Sequence, residues 1–289
     1  MDAAASDITI KRLTGAISAE IGGVDLAAPN YDNIYPIIHQ TFLDHAVVVL
    51  RGQNLSPEQL VSVSKPFGKL EAHVLTQFNL KEHPEVLIIS NVKENGKPIG
   101  AIYAGQYWHS DLSYMAHPTQ ASLLHAKEIP SYGGDTMFAN MTRAYEDLSE
   151  PVKRMLDGLT AVHDYTNAYD TYFSHLPDRP PLSDEEKAKV PPVVHPVVRT
   201  HPETGNKALY VNPGFTRRIN ELEPAESRAV LDFLFRHCQQ PHLIYRHTWQ
   251  TGDLVIWDNR STIHNAVADY DMSERRHLIR TSVEGDVPR

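Results

Sequence analysis

The tetrapeptide Trp108-His109-Ser110-Asp111 holds a tight combination of metal-binding side chains. In a β-strand, residues i and i+2 project from the same face, so the His109 imidazole and the Asp111 carboxylate could reach one metal ion. A His-x-Asp triplet also arises by chance, and an ordinary pair at the surface or at a strand end is the simpler interpretation of the triplet alone. It therefore indicates a metal site only together with a further ligand.

Two arginines near the end of the chain could bind anions. If the segment around them is a strand, Arg276 and Arg280 lie on one face, whereas Arg275 and His277 lie on the other. At about 3.3 Å per residue the two are roughly 13 Å apart, too far to clamp one small carboxylate but suitable for two different anionic groups. Two arginines held in ordinary ion pairs of an acidic protein are the open alternative.

The composition is that of a folded domain and limits the possible functions. The 289 residues are 41% hydrophobic and 22% charged, which excludes disorder and low complexity, and we expect one domain over residues 1–289. The 16 histidines are roughly twice the ordinary number and favour metal binding. The lone Cys238 lies in an amphipathic helical pattern, where a small hydrophobic residue is more common than a nucleophile.

Charge and hydropathy argue against several partners. The net charge of -9 at pH 7 is spread along the chain without a block of Lys or Arg, which argues against nucleic acids and anionic membranes. No run of about 18 apolar residues is present, and the first eleven residues lack the apolar segment of a secretion signal. We therefore expect a cytoplasmic protein without a membrane span.

Short β-type runs dominate the sequence, and helical periodicity is convincing in only three segments. The runs are 8–13, 46–51, 86–90, 120–126, 135–139, 192–200, 207–211, 242–249, 252–257 and 277–284. The helical segments are 34–42, 56–67 and 230–237. This pattern predicts a mostly β fold with flanking helices around a double-stranded β-helix (jelly-roll, cupin-like) core. The Pro-rich segment 176–192 reads as a long surface loop.

Several ordered motifs together resemble the taurine dioxygenase and 2,4-dichlorophenoxyacetate dioxygenase family of Fe(II)- and 2-oxoglutarate-dependent oxygenases. They are Trp108 to Asp111, Gly133-Gly134-Asp135-Thr136, Trp257-Asp258-Asn259-Arg260 through His264, and Arg275-Arg276. The resemblance covers nearly the whole chain, from the segment Gly15 to Leu26 onwards. It also implies a loop insertion at the active site, around residues 166–192.

The resemblance assigns roles to individual residues. It implies that His109, Asp111 and His264 ligate Fe(II), and no catalytic residue is expected beyond this metal centre. Two imidazoles and one carboxylate leave three open positions on the ion, which suit 2-oxoglutarate and O2. By the same resemblance Arg276 pairs with the distal carboxylate of 2-oxoglutarate, helped by the Thr136 hydroxyl.

The substrate implied by the resemblance is a small organic anion. Arg280 would hold its anionic group, and His73 matches a histidine that contacts the sulfonate or sulfate in taurine dioxygenase and alkyl sulfatase-type dioxygenases. Phe215 and Tyr169 fall where aromatic residues line the family pocket. These matches favour hydroxylation of a taurine-like sulfonate or an alkyl sulfate, whereas Thr76 and Gly105 replace the tyrosine and asparagine that complete taurine binding.

The sequence also leaves other functions open. The same chemistry could act on a carboxylate or a phenoxy acid. A zinc-dependent hydrolase could use the same three ligands but would have no use for Arg276, and a non-catalytic binding barrel would be expected to lack a ligand. Family members form dimers and tetramers, so we expect a homo-oligomer.

Overall fold

The structure, a computed structural model, describes residues 8–28, 31–72, 76–174 and 183–289. The strands are β1 Thr9–Arg12, β2 Ala19–Gly22, β3 Val47–Leu50, β4 Leu70–Glu71, β5 Val86–Ser90, β6 Lys93–Glu94, β7 Lys97–Pro98, β8 Thr119–Glu128, β9 Thr136–Asn140, β10 Thr160–His163, β11 Val193–Pro196, β12 Val198–Thr200, β13 Lys207–Leu209, β14 Thr216–Ile219, β15 Ile244–His247, β16 Leu254–Asp258, β17 Thr262–Ala266 and β18 His277–Glu284. The α-helices are α1 Tyr31–His45, α2 Pro57–Ser64, α3 Met141–Glu146, α4 Glu150–Leu156, α5 Tyr165–Ala168, α6 Asp184–Lys189 and α7 Pro224–Cys238. Shorter 3₁₀ turns span Lys65–Phe67, Thr76–Phe78 and Pro241–Leu243, and a π-helix spans Tyr169–Phe173.

The larger sheet runs in the order β1-β2-β3-β16-β8-β18-β4, and β5 also pairs with β18. Its central strands are buried on both faces, and alternate residues enter two different clusters. In β16, for example, Leu254 and Ile256 pack against α1 and α2, whereas Val255 and Trp257 face inward. In the same way Ile279 points outward from β18 and Leu278 inward.

A smaller sheet, in the order β15-β9-β17, lies against the inner face of the larger one. Phe138 of β9 and Tyr245 of β15 belong to the same buried cluster as Val255 and Trp257 of the larger sheet. The turn between β16 and β17 passes the chain from one sheet to the other. Side chains from both sheets can therefore meet in the space between them.

Helices cover the outer surfaces and begin with local capping signals. Ser56 caps α2 and forms a reciprocal capping box with Gln59, and Pro57 occupies the first turn, where its missing N–H needs no partner. Glu223 and Glu226 form the equivalent box at α7. In α7, Leu231, Leu234 and Cys238 face a second core that α3 shares. Burial raises the pKa of the Cys238 thiol to about 12, so the thiolate is absent at neutral pH.

The mostly β architecture with helices around it is confirmed. Two predicted strands, 86–90 and 277–284, have the predicted bounds, and the run 192–200 is divided into β11 and β12. Reading 176–192 as a loop was wrong for its described part, because α6 forms there. Acidic residues at its start and lysines at its end suit the helix dipole. No helix in the described part of the chain is long and apolar enough to cross a membrane.

Candidate metal centre and active site

A cavity of about 590 Å³ lies between the two sheets. Leu124, Trp257 and Arg280 line it from the larger sheet, and Thr136 and His264 line it from the smaller one. Cavities of this size between sheets are typical sites for small ligands.

His109, Asp111 and His264 meet at the wall of this cavity, and their ligand atoms lie within 4.8 Å of one another. The Nε2 atom of His109 is 3.6 Å from Oδ1 of Asp111, and Nε2 of His264 is 3.8 Å from Oδ2. All three side chains are buried. Among the described residues they form the one cluster of three or more such side chains that could hold a metal ion. Two imidazoles and a carboxylate suit non-haem Fe(II).

Both imidazoles turn Nε2 towards the Asp111 carboxylate. Nδ1 of His109 lies 2.8 Å from the carbonyl oxygen of Tyr107. Because a carbonyl only accepts, Nδ1 carries a hydrogen, and Nε2, which faces Asp111, is the ring nitrogen that can bind a metal. Burial, followed by the proximity of His109, lowers the pKa of His264 well below its ordinary value, so this imidazole is neutral.

The His-x-Asp triplet does not lie on a strand, and this part of the sequence prediction was wrong. His109 forms a single bridge with His264, in which each backbone N–H donates to the other residue's carbonyl oxygen, at 3.0 and 2.8 Å. The chain then turns, with Leu112 at a φ of 51°. At this turn the Asp111 N–H donates to the side-chain oxygen of Asn259 and not to a neighbouring strand. The ligands converge through the bridge, and strand periodicity is not involved.

The Asp111 carboxylate has a donor on each oxygen. Nη1 of Arg280 donates to Oδ1 at 2.8 Å, and the Ser122 hydroxyl lies 2.7 Å from Oδ2. Although burial acts to raise it, the charge of Arg280 holds the pKa of Asp111 well below its usual range. The carboxylate is therefore ionised and ready to bind a cation.

Arg276 is a buried cation without a carboxylate partner among the described residues. Its side chain is 7% exposed, and Nε and Nη2 both donate to the carbonyl oxygen of Gly134, at 3.2 and 3.0 Å. No carboxylate oxygen of a described Asp or Glu lies within 4.0 Å of its guanidinium nitrogens. The neighbouring Asp135 pairs with Arg246 instead. A buried unpaired guanidinium is unfavourable by itself, and an anion entering the cavity would compensate it.

The loop that supports Arg276 requires glycine. Gly133 and Gly134 have φ values of 69° and 68°, a region that side chains disfavour. A Cβ on Gly134 would lie 3.0 Å from Nε of Arg276, and the Gly134 N–H donates to Asp269. The two glycines thus let the backbone approach the guanidinium closely.

Thr136 is oriented by a residue that the sequence reasoning missed. The indole Nε1 of Trp249 donates to the Thr136 hydroxyl oxygen at 3.0 Å. Because the oxygen accepts this bond, its own hydrogen is free to be donated to a ligand in the cavity. No local motif marks Trp249, which reaches Thr136 through the pairing of β15 with β9.

Arg276 and Arg280 both line the cavity, which confirms that they share a face. Arg280 is 7% exposed and, besides its bond to Asp111, has an Nε without a hydrogen-bond partner. It therefore lies beside the metal-binding carboxylate and retains donor capacity.

Phe215 and Tyr169 also line the cavity. The ring of Phe215 stands edge-on to His109, with centroids 5.9 Å apart, and its backbone N–H is held by the Asn212 side chain. Further aromatic lining comes from Tyr103, Tyr107, Tyr114 and Tyr165. His73 lies outside the described residues.

A buried histidine behind the aromatic wall makes stability depend on pH. His163 is 0% exposed, and burial, followed by His195, lowers its pKa to about 3. Unfolded His163 binds a proton near pH 6.5, so between pH 6.5 and 3 the unfolded state holds more protons, and stability falls as pH falls. We expect this histidine to account for a loss of about 3 kcal/mol between pH 7 and pH 4.

The check is the free energy of urea unfolding at pH 7, 5.5 and 4. His163→Gln should show a shallower decline than the wild type, whereas His117→Gln, at an exposed position, should not change the slope. Equal slopes for all three proteins would contradict the assignment.

Comparison with known proteins agrees with this geometry. A model of the family described as "Taurine catabolism dioxygenase TauD, TfdA family" matches residues 9–282. The α-ketoglutarate-dependent 2,4-dichlorophenoxyacetate dioxygenase of Burkholderia sp. (strain RASC) is 36% identical over 251 residues, which cover 83% of this chain and 82% of that protein. The α-ketoglutarate-dependent sulfate ester dioxygenase of Pseudomonas putida is 33% identical over 292 residues, covering 98% and 92%.

Solved structures are similar over the same extent. A taurine dioxygenase from Burkholderia xenovorans superposes with a TM-score of 0.82 at 36% identity, covering 98% of this chain and 91% of the other. The protein AAD-2, in complex with Mn(II) and N-oxalylglycine, gives a TM-score of 0.81 at 30% identity, covering 97% and 98%.

Proposed function

Because the chain belongs to the taurine catabolism dioxygenase TauD, TfdA family, we propose that it hydroxylates a small organic anion and converts 2-oxoglutarate to succinate and CO2. The observation that carries this function is the buried cluster of His109, Asp111 and His264 in one cavity with Arg276, which pairs with no described carboxylate. When bound, Fe(II) would supply the centre at which O2 is activated, and 2-oxoglutarate would supply two electrons as it is oxidised to succinate and CO2, so that one atom of O2 enters a C–H bond of the substrate and the other enters succinate.

Each residue has a defined task in this proposal. His109, Asp111 and His264 hold the metal as three ligands and leave its remaining positions to the keto acid and O2. Arg276 pairs with the distal carboxylate of 2-oxoglutarate, and the Thr136 hydroxyl donates to the same group. This arrangement is supported by Arg276 having no ion pair with a described carboxylate, since a planar guanidinium matches a carboxylate through two parallel bonds.

The substrate's anionic group is assigned to Arg280, and the flat rings of Phe215 and Tyr169 pack against its apolar body. His73 stays a proposed contact to the same anionic group. Hydroxylation of the carbon next to the heteroatom gives a product that breaks down to a carbonyl compound and releases the anion.

Within the sulfonates and sulfates, the cavity favours a substrate without an ammonium group. Among the described residues that line it, Asp111 is the single carboxylate, and it is assigned to the metal. Gly105 offers no side chain, and a Cβ there would lie 2.9 Å from Cε1 of His109. Aromatic rings, by contrast, suit an apolar body. We therefore propose alkyl sulfates or apolar sulfonates ahead of taurine itself, and ahead of carboxylates and phenoxy acids.

The proposal extends to the core and to the assembly. We assign the two sheets to a double-stranded β-helix of the jelly-roll type, supported by the cluster that their inner faces share. We also propose a homo-oligomer, dimer or tetramer, which light scattering of the purified protein would test.

The test of function is succinate release with Fe(II), ascorbate, 2-oxoglutarate and a panel of candidate substrates under air. We expect stimulation by an alkyl sulfate and a much weaker response to taurine. Stimulation by phenoxy acids alone would keep the reaction and correct the substrate. Turnover under argon, or hydrolysis with Zn²⁺ alone, would overturn the dioxygenase assignment in favour of a hydrolase.

A further inference from the structure

We propose that Asn259 and Ser122 are positioning residues that hold the Asp111 carboxylate in the orientation needed for metal binding. They form a short relay of hydrogen bonds behind Asp111, on the side away from the cavity, since neither side chain lines it. The inference rests on the proposed metal site and adds two residues to it.

The side-chain amide of Asn259 can adopt only one orientation. Its Oδ1 lies 3.1 Å from Nε1 of Trp257 and 3.1 Å from the backbone nitrogen of Asp111. Both of these groups are donors without acceptor capacity, so the atom that faces them must be the amide oxygen. The Nδ2 group therefore points the other way, towards the hydroxyl of Ser122 at 2.9 Å.

This orientation determines the direction of the next bond. Because Asn259 donates to the Ser122 oxygen, the hydroxyl hydrogen of Ser122 is left for Asp111, whose Oδ2 lies 2.7 Å away. An ionised carboxylate can only accept, so this bond is charge-assisted. The relay thus runs in one direction, from the amide through the hydroxyl to the carboxylate.

Asn259 also controls where the two ligand-bearing segments lie. The backbone carbonyl oxygen of Asn259 accepts a hydrogen bond from the Ser110 hydroxyl at 2.8 Å. Ser110 lies between His109 and Asp111 in the chain. Asn259 lies in the turn between β16 and β17, and β17 carries His264. One residue therefore connects the backbone of the His-x-Asp segment to the hairpin that supplies the third ligand.

The relay is sheltered from water. Ser110, Ser122 and Asn259 are 1%, 0% and 1% exposed. In such surroundings a lost donor is not replaced by solvent, and the freed carboxylate could rotate. In other proteins, mutation of a residue that hydrogen-bonds to a metal ligand typically lowers metal affinity 10- to 100-fold.

The experiment measures Co²⁺ binding to the full-length protein by its visible absorption, without turnover. We expect Ser122→Ala to weaken Co²⁺ binding about 10-fold or more and to change the shape of the Co²⁺ spectrum. The matched control is Ser227→Ala, another buried serine, whose hydroxyl accepts from the Ile219 N–H far from the metal. It should lose a similar amount of thermal stability and bind Co²⁺ like the wild type.

A double-mutant cycle tests the direction of the relay. If Asn259 acts through Ser122, the variant carrying both Asn259→Ala and Ser122→Ala should bind Co²⁺ about as weakly as Asn259→Ala alone. Independent, additive losses would overturn the relay. If Asn259→Ala fails to fold, the comparison of Ser122→Ala with Ser227→Ala still tests whether Ser122 positions Asp111.

The possible failures are distinguishable. A wild-type protein that binds no Co²⁺ would refute the proposed function and its metal site. A wild type that binds Co²⁺, together with a Ser122→Ala variant of equal affinity and unchanged spectrum, would refute the positioning role alone.

Discussion

Replacing Arg276 by methionine is expected to weaken 2-oxoglutarate binding about 100-fold or more. Truncating one partner of a buried, hydrogen-bonded charge pair costs about 2 to 5 kcal/mol, most of it from leaving the other charge unpaired. The other arginine that lines the cavity, Arg280, already pairs with Asp111. The measurement is anaerobic titration of the Mn²⁺-loaded protein with 2-oxoglutarate.

The same substitution should stabilise the protein when no 2-oxoglutarate is present. Arg276 is buried against Gly134 and the Tyr270 ring, with no described carboxylate in contact. A methionine of similar volume removes the unpaired charge, and such replacements are often stabilising. We expect a gain of about 1 kcal/mol in the free energy of unfolding. Adding 2-oxoglutarate should then raise the melting temperature of the wild type but not that of the variant.

The neighbouring arginine is a natural control. Arg275 is exposed and pairs with Glu128 at the surface, so Arg275→Met should leave 2-oxoglutarate affinity unchanged. If both variants bind 2-oxoglutarate like the wild type, Arg276 is not the receptor of the co-substrate.

Replacing Asp111 by asparagine is expected to abolish substrate-stimulated succinate release, with a loss of about 1000-fold or more. The amide has nearly the same shape, but it lacks the charge that holds a divalent cation. Metal affinity should fall with activity, and titration with Mn²⁺ measures it. Asp44→Asn, on the outer surface of α1, is the matched control and should retain both.

Unlike the change at Arg276, the change at Asp111 should destabilise the protein. Arg280 loses the carboxylate that pairs with it at 2.8 Å and becomes an unpaired buried cation, a loss of about 3 kcal/mol. Adding Arg280→Met to Asp111→Asn should restore much of the stability and none of the activity. A single Asp111→Asn variant as stable as the wild type would show that the ion pair does not contribute to folding.

Much of the architecture could be predicted from local patterns. The strand period of two placed Arg276 and Arg280 on one face of the predicted strand, and both arginines line the cavity. Helical periodicity in 56–67 likewise predicted α2, which begins at the capping box of Ser56. Missed elements such as β10 and β14 are short and contain charged residues or histidine, so their strand character comes from pairing with each other.

The metal ligands illustrate the limit of local patterns. His109 and Asp111 were identified correctly as a pair, but for a geometric reason that the structure contradicts. Their convergence depends on the bridge to His264, more than 150 residues later, and on the side chain of Asn259. A pairing of such distant segments leaves no periodic signal in the sequence.

The sequence by itself therefore determined the ligand types, the shared face of the two arginines and the family to which the motifs belong. These properties depend on residue identity, spacing and the periods of strands and helices. The tertiary structure alone decided that Arg280 pairs with Asp111 while Arg276 has no described carboxylate partner, and that Trp249 contacts Thr136 and Ser122 contacts Asp111. Those outcomes depend on which side chains from distant strands come within hydrogen-bond distance, and burial then gives each contact its strength.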